Sequence, residues 1–178
     1  MYSLSFRIEV MLGSICALDW LQLKGTYTII IDCGFSGFCA FGRLGRARLR
    51  KGHYLYTGSA LGSGAASLEG RLQRHRRHRK VKWWHIDYLT CKRTCQVVNE
   101  IHCASNDRLE CSVSEAISRE LNIPPVLPGI GSSDCNCRGH LLGPETRSRE
   151  GHLLKRVVEA YVRVGVPRAS IEVRNQIG

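Results

Sequence analysis

Residues Tyr54 to Lys82 read YLYTGSALGSGAASLEGRLQRHRRHRKVK, and the fold is read outward from them. Tyr54 and Tyr56 alternate with Leu55, the period of a strand. A glycine- and serine-rich loop follows, Thr57 to Ala66, where backbone can approach a ligand closely. A basic helix is expected from Ser67 to Arg79, with a thin apolar stripe of Leu68 and Leu72 one turn apart. Seven of the twelve residues from Arg71 to Lys82 are Lys or Arg, so seven charges of the net +11 fall in this one patch. Clustered cation beside glycine and tyrosine is the footprint of a phosphate-backbone binder, whereas a merely solvated helix face needs no such company. Arg71 stands at the border of the stripe and can point along the sheet. Arg74 and Arg77 are expected to face outward.

Upstream, Gly25 to Asp32 (GTYTIIID) is a β-rich run, and Phe38 to Leu49 reads as a second strand with a glycine break. His53 to Gly58 is a third. Tight turns between short strands predict a small, mostly antiparallel sheet. Downstream, WWHIDYL (residues 83–89) is read as helical, with His85 its one group titrating near neutrality. His85 serves equally as a hydrogen-bonded core histidine or a catalytic one. Cys95 to Ile101 is a further strand.

Asp107 to Leu121 is an amphipathic helix, with Leu109, Val113, Ala116, Ile117 and Leu121 on one face. At about 100° per residue, Glu110 falls between Ile117 and Leu121 inside that face, and Glu115 falls opposite. A buried carboxylate needs a cation or a metal. The alternative is a capping box between Asp107 and Glu110. Cys135, Cys137 and His140 form a C-x-C-x2-H group. Zn²⁺ takes such ligands but wants four at a structural site, the fourth being Cys111 or a histidine, or absent. Reduced cysteines packed in a loop are the alternative. Glu150 to Val164 is a second amphipathic helix, preceded by a polar linker, Gly143 to Arg149, and followed by residues expected to fray. The N-terminal segment, with SFRIEVM as a candidate strand, reads as an extension or packing arm.

The length suits one domain with a proper core. Nine cysteines is an odd number that fits no extracellular disulfide framework, so reduced thiols in the cytoplasm are expected. No run reaches the ~18 apolar residues of a membrane span.

Gly25-Thr26-Tyr27, Tyr56-Thr57-Gly58, Leu68-Glu69-Gly70-Arg71-Leu72 and a helix carrying Glu110 resemble the GIY-YIG nuclease superfamily. YTGSALG, RLQRHRR, WWHIDYL, Glu110-Cys111 and SDCNCRGHL are similar to a small prokaryotic branch of it, found alone or fused to endonuclease III-like glycosylases. The resemblance covers about Lys24 to Leu142. It divides the chain into an N-terminal extension (1–23), a nuclease-like domain (24–142), and a linker with a C-terminal helix (143–178). It implies an α+β fold, a small antiparallel sheet flanked by helices, with the Cys/His loop toward the C-terminus. It implies a metal-dependent endonuclease hydrolysing phosphodiester bonds in DNA, of repair or processing type, or a binding module of the same fold that does not cleave. Association or fusion with DNA-repair enzymes would follow.

Carried over residue by residue, Tyr27 and Tyr56 match the signature tyrosines, Arg71 the helix arginine, and Glu110 the carboxylate that holds Mg²⁺ or Mn²⁺. Glu115 is the competing match. Thr26 and Thr57 stand where the pattern has isoleucine, and the loop after Gly58 is longer. In such a site a phenol orients or deprotonates the attacking water, provided Arg71 and the metal lower its pKa, with His85 or His75 as proton carrier. Arg74, Arg76, Arg77, Arg79 and Lys80 would grip the backbone without reading sequence.

Overall fold

The computed structural model describes residues 22–176. The expectation for the N-terminal extension lies almost wholly outside them. The run of three isoleucines sits in β1 (Gly25–Cys33), the central strand of a five-stranded sheet. Its order is β6-β4-β1-β5-β7, and every neighbouring pair is antiparallel. β1 is buried on both faces from Gly25 to Ile31, so its run of three isoleucines is continuous instead of alternating, and Thr26 and Thr28 are buried with it.

β4 (Gly52–Ala60) pairs with β1 so that Tyr27 lies opposite Gly58 and Ile29 opposite Tyr56. The strand runs to Ala60, two residues beyond its expected end at Gly58 and four into the stretch expected as loop. Gly58 is required there, because a Cβ would stand 2.6 Å from the Tyr27 hydroxyl.

One sheet face packs Tyr27, Ile29, Ile31, Tyr54 and Tyr56 against α1 (Leu68–Arg76) and α2 (Asp87–Thr90). α1 is too short to hold alone in water. Fully burying Leu68 and Leu72 contributes roughly 1.5–3 kcal/mol each. Ser67 caps it, its Oγ accepting the Gly70 N–H at 3.2 Å. The helix ends at Arg76, not Arg79, because Lys80 folds back and donates to the terminal Arg74 carbonyl at 2.7 Å.

The other face carries Ile30, Leu55, Val98 and Ile101 against α3 (Glu110–Leu121) and α4 (Glu150–Arg163). The fold is therefore the expected α+β arrangement, an antiparallel sheet flanked by four helices among the described residues.

Several local readings are corrected. Phe38–Leu49 is not one strand. β2 (Gly37–Ala40) and β3 (Arg46–Leu49) form their own hairpin, joined by a 3-10 turn at Gly42–Leu44. WWHIDYL is helical only from Asp87. α3 begins at Glu110, so no capping box forms, and the Asp107 backbone N–H donates to Ser105 Oγ. The expected linker opens inside β6 (Leu141–Glu145), an edge strand on β4 where Pro144 costs no ladder bond. The described residues after α4 do not fray: β7 (Ile171–Asn175) pairs with β5 (Cys95–Ala104). Thiols are not all free, since Cys33 and Cys95, opposite one another on β1 and β5, are joined as a disulfide.

Candidate functional site

Beyond the sheet face carrying the tyrosines lies a cleft of about 690 Å³. β4 supplies Tyr56 and Gly58, α1 supplies Arg71, the segment before α2 supplies Trp84 and His85, and α3 supplies its first residue, Glu110. Three consecutive segments and the more distant α3 thus converge.

Arg71 and Glu110 are both held short of satisfaction. Arg71 packs its guanidinium over the Trp84 ring at 4.9 Å, and its Nε is buried without a hydrogen-bond partner. Glu110 is 7% exposed, and its Oε2 is likewise buried and unpartnered. Its other oxygen lies 3.9 Å from Arg108, which pairs at 2.7 Å with Asp134 on the opposite lip. A buried unpaired carboxylate oxygen is costly, so such an arrangement fits a cation in the cleft. Glu115 is exposed and pairs with Arg119 one turn on, as helical geometry predicts.

The tyrosines sit beneath this floor. Tyr27 is fully buried and its hydroxyl is 2.9 Å from His75 Nε2. Tyr56, 8% exposed, lines the cleft. Tyr27, Tyr56, His75 and Trp84 form one ring cluster, with centroids 5.5–6.5 Å apart. Gly131 sits against Tyr56 with φ +76, and a Cβ there would meet the ring at 2.8 Å.

The expected lowering of the phenol pKa does not occur. Burial pushes Tyr27 up to about 12, outweighing the Arg71 charge beside it. Burial, with Tyr27 adding to it, pushes Tyr56 up further. Both phenols hold their protons at neutral pH. Burial, with Lys80 adding to it, holds His75 down to about 3, so it is neutral. His85 is part-exposed and is lowered by partial burial and by Arg43. Neutral and facing the cleft, it is the group best placed to accept a proton.

The basic patch divides in two. Arg74 does not face outward: it donates to Asp87 at 2.6 Å and to the Val81 carbonyl at 2.7 Å. Lys80 lies 3.5 Å from the other Asp87 oxygen. Burial raises the Asp87 carboxyl, but the Trp84 N–H, Arg74 and Lys80 together outweigh it and hold it below its ordinary range. Arg76 pairs with Glu69 at 2.6 Å and Glu100 at 3.5 Å. These three cations are structural. Arg77 and Arg79 are exposed, as is Lys82 at the cleft.

The Cys/His group closes with the fourth ligand from α3. Cys111, Cys135, Cys137 and His140 place their ligand atoms within 4.8 Å of one another, a group that could hold a metal ion. The His140 carbonyl accepts the Thr57 N–H at 3.1 Å, fastening this loop to β4 beside Tyr56.

Of the sequence candidates, Tyr56, Arg71, His85 and Glu110 share the cleft, while Tyr27 supports it from below through His75. Arg108, Asp134 and Trp83 were not singled out by residue, although Asp134 and Trp83 stand inside the quoted SDCNCRGHL and WWHIDYL. Among the described residues no helix is long and apolar enough to cross a membrane. No curated protein and no solved structure matches the chain. A family model matches residues 26–163, through β1 to β6, the cleft and the Cys/His loop, and the chain belongs to the family described as a domain of unknown function, DUF123.

Proposed function

We propose that this protein is a metal-dependent endonuclease of GIY-YIG type that hydrolyses phosphodiester bonds in DNA. The observation that carries the reading is the convergence of Arg71 and Glu110 on one cleft, each with a buried polar atom left unpaired. A phosphate bound between them meets a guanidinium fork on one side and a cation held by a carboxylate on the other.

Mg²⁺ or Mn²⁺ suits Glu110, since such ions need only one or two carboxylates beside substrate phosphates. When bound, the ion would neutralise charge developing on the leaving oxygen. Arg71 holds the non-bridging oxygens. His85, neutral and facing the cleft, takes the proton that the attacking water gives up. Tyr56 donates a hydrogen bond and, with Tyr27 and His75, keeps the floor rigid. Arg77, Arg79 and Lys82 hold the flanking backbone by charge.

We assign Zn²⁺ to the Cys/His group. Tetrahedral bonds of about 2.3 Å to thiolate put ligand atoms roughly 3.8 Å apart, which the observed spacing meets with little movement. Four protein ligands leave no open position, so its role is structural.

Burial of Tyr27, which removes it from solvent, favours a second reading, a binding module of the same fold without cleavage. Supercoiled plasmid, single-stranded, flap and abasic-site DNA incubated with Mg²⁺ or Mn²⁺ and with EDTA separate the two. Metal-dependent products support the nuclease. Binding without product on every substrate supports the module.

A further inference from the structure

Trp83 is 75% exposed, while its neighbour Trp84 is tucked into the ring cluster. An indole held exposed at the lining of a cleft is placed to meet a ligand that enters it. The segment is not loose. Asp87 Oδ2 accepts the backbone N–H groups of both Trp83 and Trp84 at 3.0 Å. The Arg74 guanidinium, fixed by the same carboxylate, lies 5.0 Å from the Trp83 ring and 4.8 Å from that of Trp84. A cation against an indole ring steadies it and leaves the rest of the ring to the solvent.

The cleft beside this ring carries more cations than carboxylates: Arg43, Lys82, Arg71 and Arg108 line it with Trp83, against Glu110 and Asp134. That combination, a preset aromatic surface among cations, matches a chain with a π-face and a charge on each unit. In a paired duplex the base faces are stacked on one another and offer nothing to an indole. Only an unpaired, terminal or flipped base can reach Trp83.

We infer that Trp83 is a stacking platform for an unpaired nucleobase, so that the substrate class is nucleic acid with single-stranded character at the site of action. This rests on the reading of the cleft as a nucleic-acid site. The base lies against the indole, while Lys82 and Arg43 hold the flanking phosphates and Arg71 the phosphate nearest Glu110.

The test is fluorescence anisotropy on the full chain without added Mg²⁺ or Mn²⁺, which withholds the cleavage ion and leaves the Cys/His group its metal. The probes are a labelled 12-nucleotide single strand, its duplex, and the same strand carrying abasic spacers in place of its central bases. The wild type is expected to prefer the single strand to the duplex. Trp83→Ala is expected to weaken single-strand binding by about five- to a hundredfold, as loss of one stacked base does. It should leave duplex binding within about twofold. Trp83→Phe is expected to recover most of the loss, which a fold defect would not. The abasic strand should bind the wild type as weakly as it binds Trp83→Ala. Equal affinity of wild type and Trp83→Ala for the single strand, or a preference for duplex, overturns the platform and leaves the nuclease reading standing. No salt-dependent binding of any probe overturns both.

Discussion

His75 carries no charge inside this protein, and that has a measurable consequence. Its Nε2 is spent on Tyr27, and burial, with Lys80 adding to it, lowers its pKa from 6.5 to about 3. Between those values the unfolded chain binds a proton that the folded chain refuses, so stability falls as pH drops from about 6.5 toward 3. Urea unfolding at pH 7 and pH 5 should show this loss in the wild type. His75→Gln, which keeps a partner for Tyr27, should flatten the slope by up to about 1.4 kcal/mol per pH unit. Parallel slopes would mean that His75 titrates alike in both states. At this scale Glu110 was legible, because helical angles place it on the buried face without knowledge of its neighbours. Arg74 was not. Its direction is decided by Asp87, thirteen positions on, whose buried carboxylate takes its counter-charge from α1.

Among the elements, the one that couples the two candidate sites is α3. Glu110 faces the cleft and Cys111, next along, faces the Cys/His group, so metal bound there would fix the first turn that aims Glu110. Elemental analysis should find one zinc per chain. Cys137→Ser should weaken that binding by more than the roughly 10- to 100-fold typical of losing an outer hydrogen-bond partner. Its melting temperature should fall, and cleavage should fall with it. Unchanged zinc content in Cys137→Ser would remove that residue from the ligand set. The long periodic elements were legible: β1, β4, β5, α3 and α4 all lie where their apolar spacing puts them. β6 was hidden by Pro144, acceptable only because that strand is an edge. β7 was hidden because its pairing partner, β5, lies some seventy residues upstream. The three nearer members of the Cys/His group were visible as a motif. Cys111 stands twenty-four residues before Cys135, too far for a local motif to choose it over a histidine or over no fourth ligand; the fold brings it in.

For the whole molecule, the net charge of +11 is less available to a ligand than its clustering implies. Arg74, Arg76 and Lys80 are spent on holding α1 to α2, β5 and β7, through Asp87, Glu69 and Glu100, with Arg174 joining Glu69. The exposed cations alone should govern salt dependence. Replacing Arg77 and Arg79 with alanine is expected to lower the slope of log affinity against log salt by about 1.5 in magnitude, without loss of stability. Arg76→Ala should chiefly destabilise the fold, because it strands the buried Glu100 carboxylate. An unchanged slope in the Arg77 and Arg79 variant would place the backbone track elsewhere. The central claim, that this cleft hydrolyses phosphodiesters through Arg71 and Glu110, is tested most directly by comparing two carboxylates on one helix. Glu110→Gln and Glu115→Gln are assayed beside the wild type for Mn²⁺-dependent cleavage of single-stranded DNA. The expected result is loss of at least about a hundredfold in Glu110→Gln and wild-type cleavage in Glu115→Gln. Undiminished cleavage by Glu110→Gln would contradict the claim.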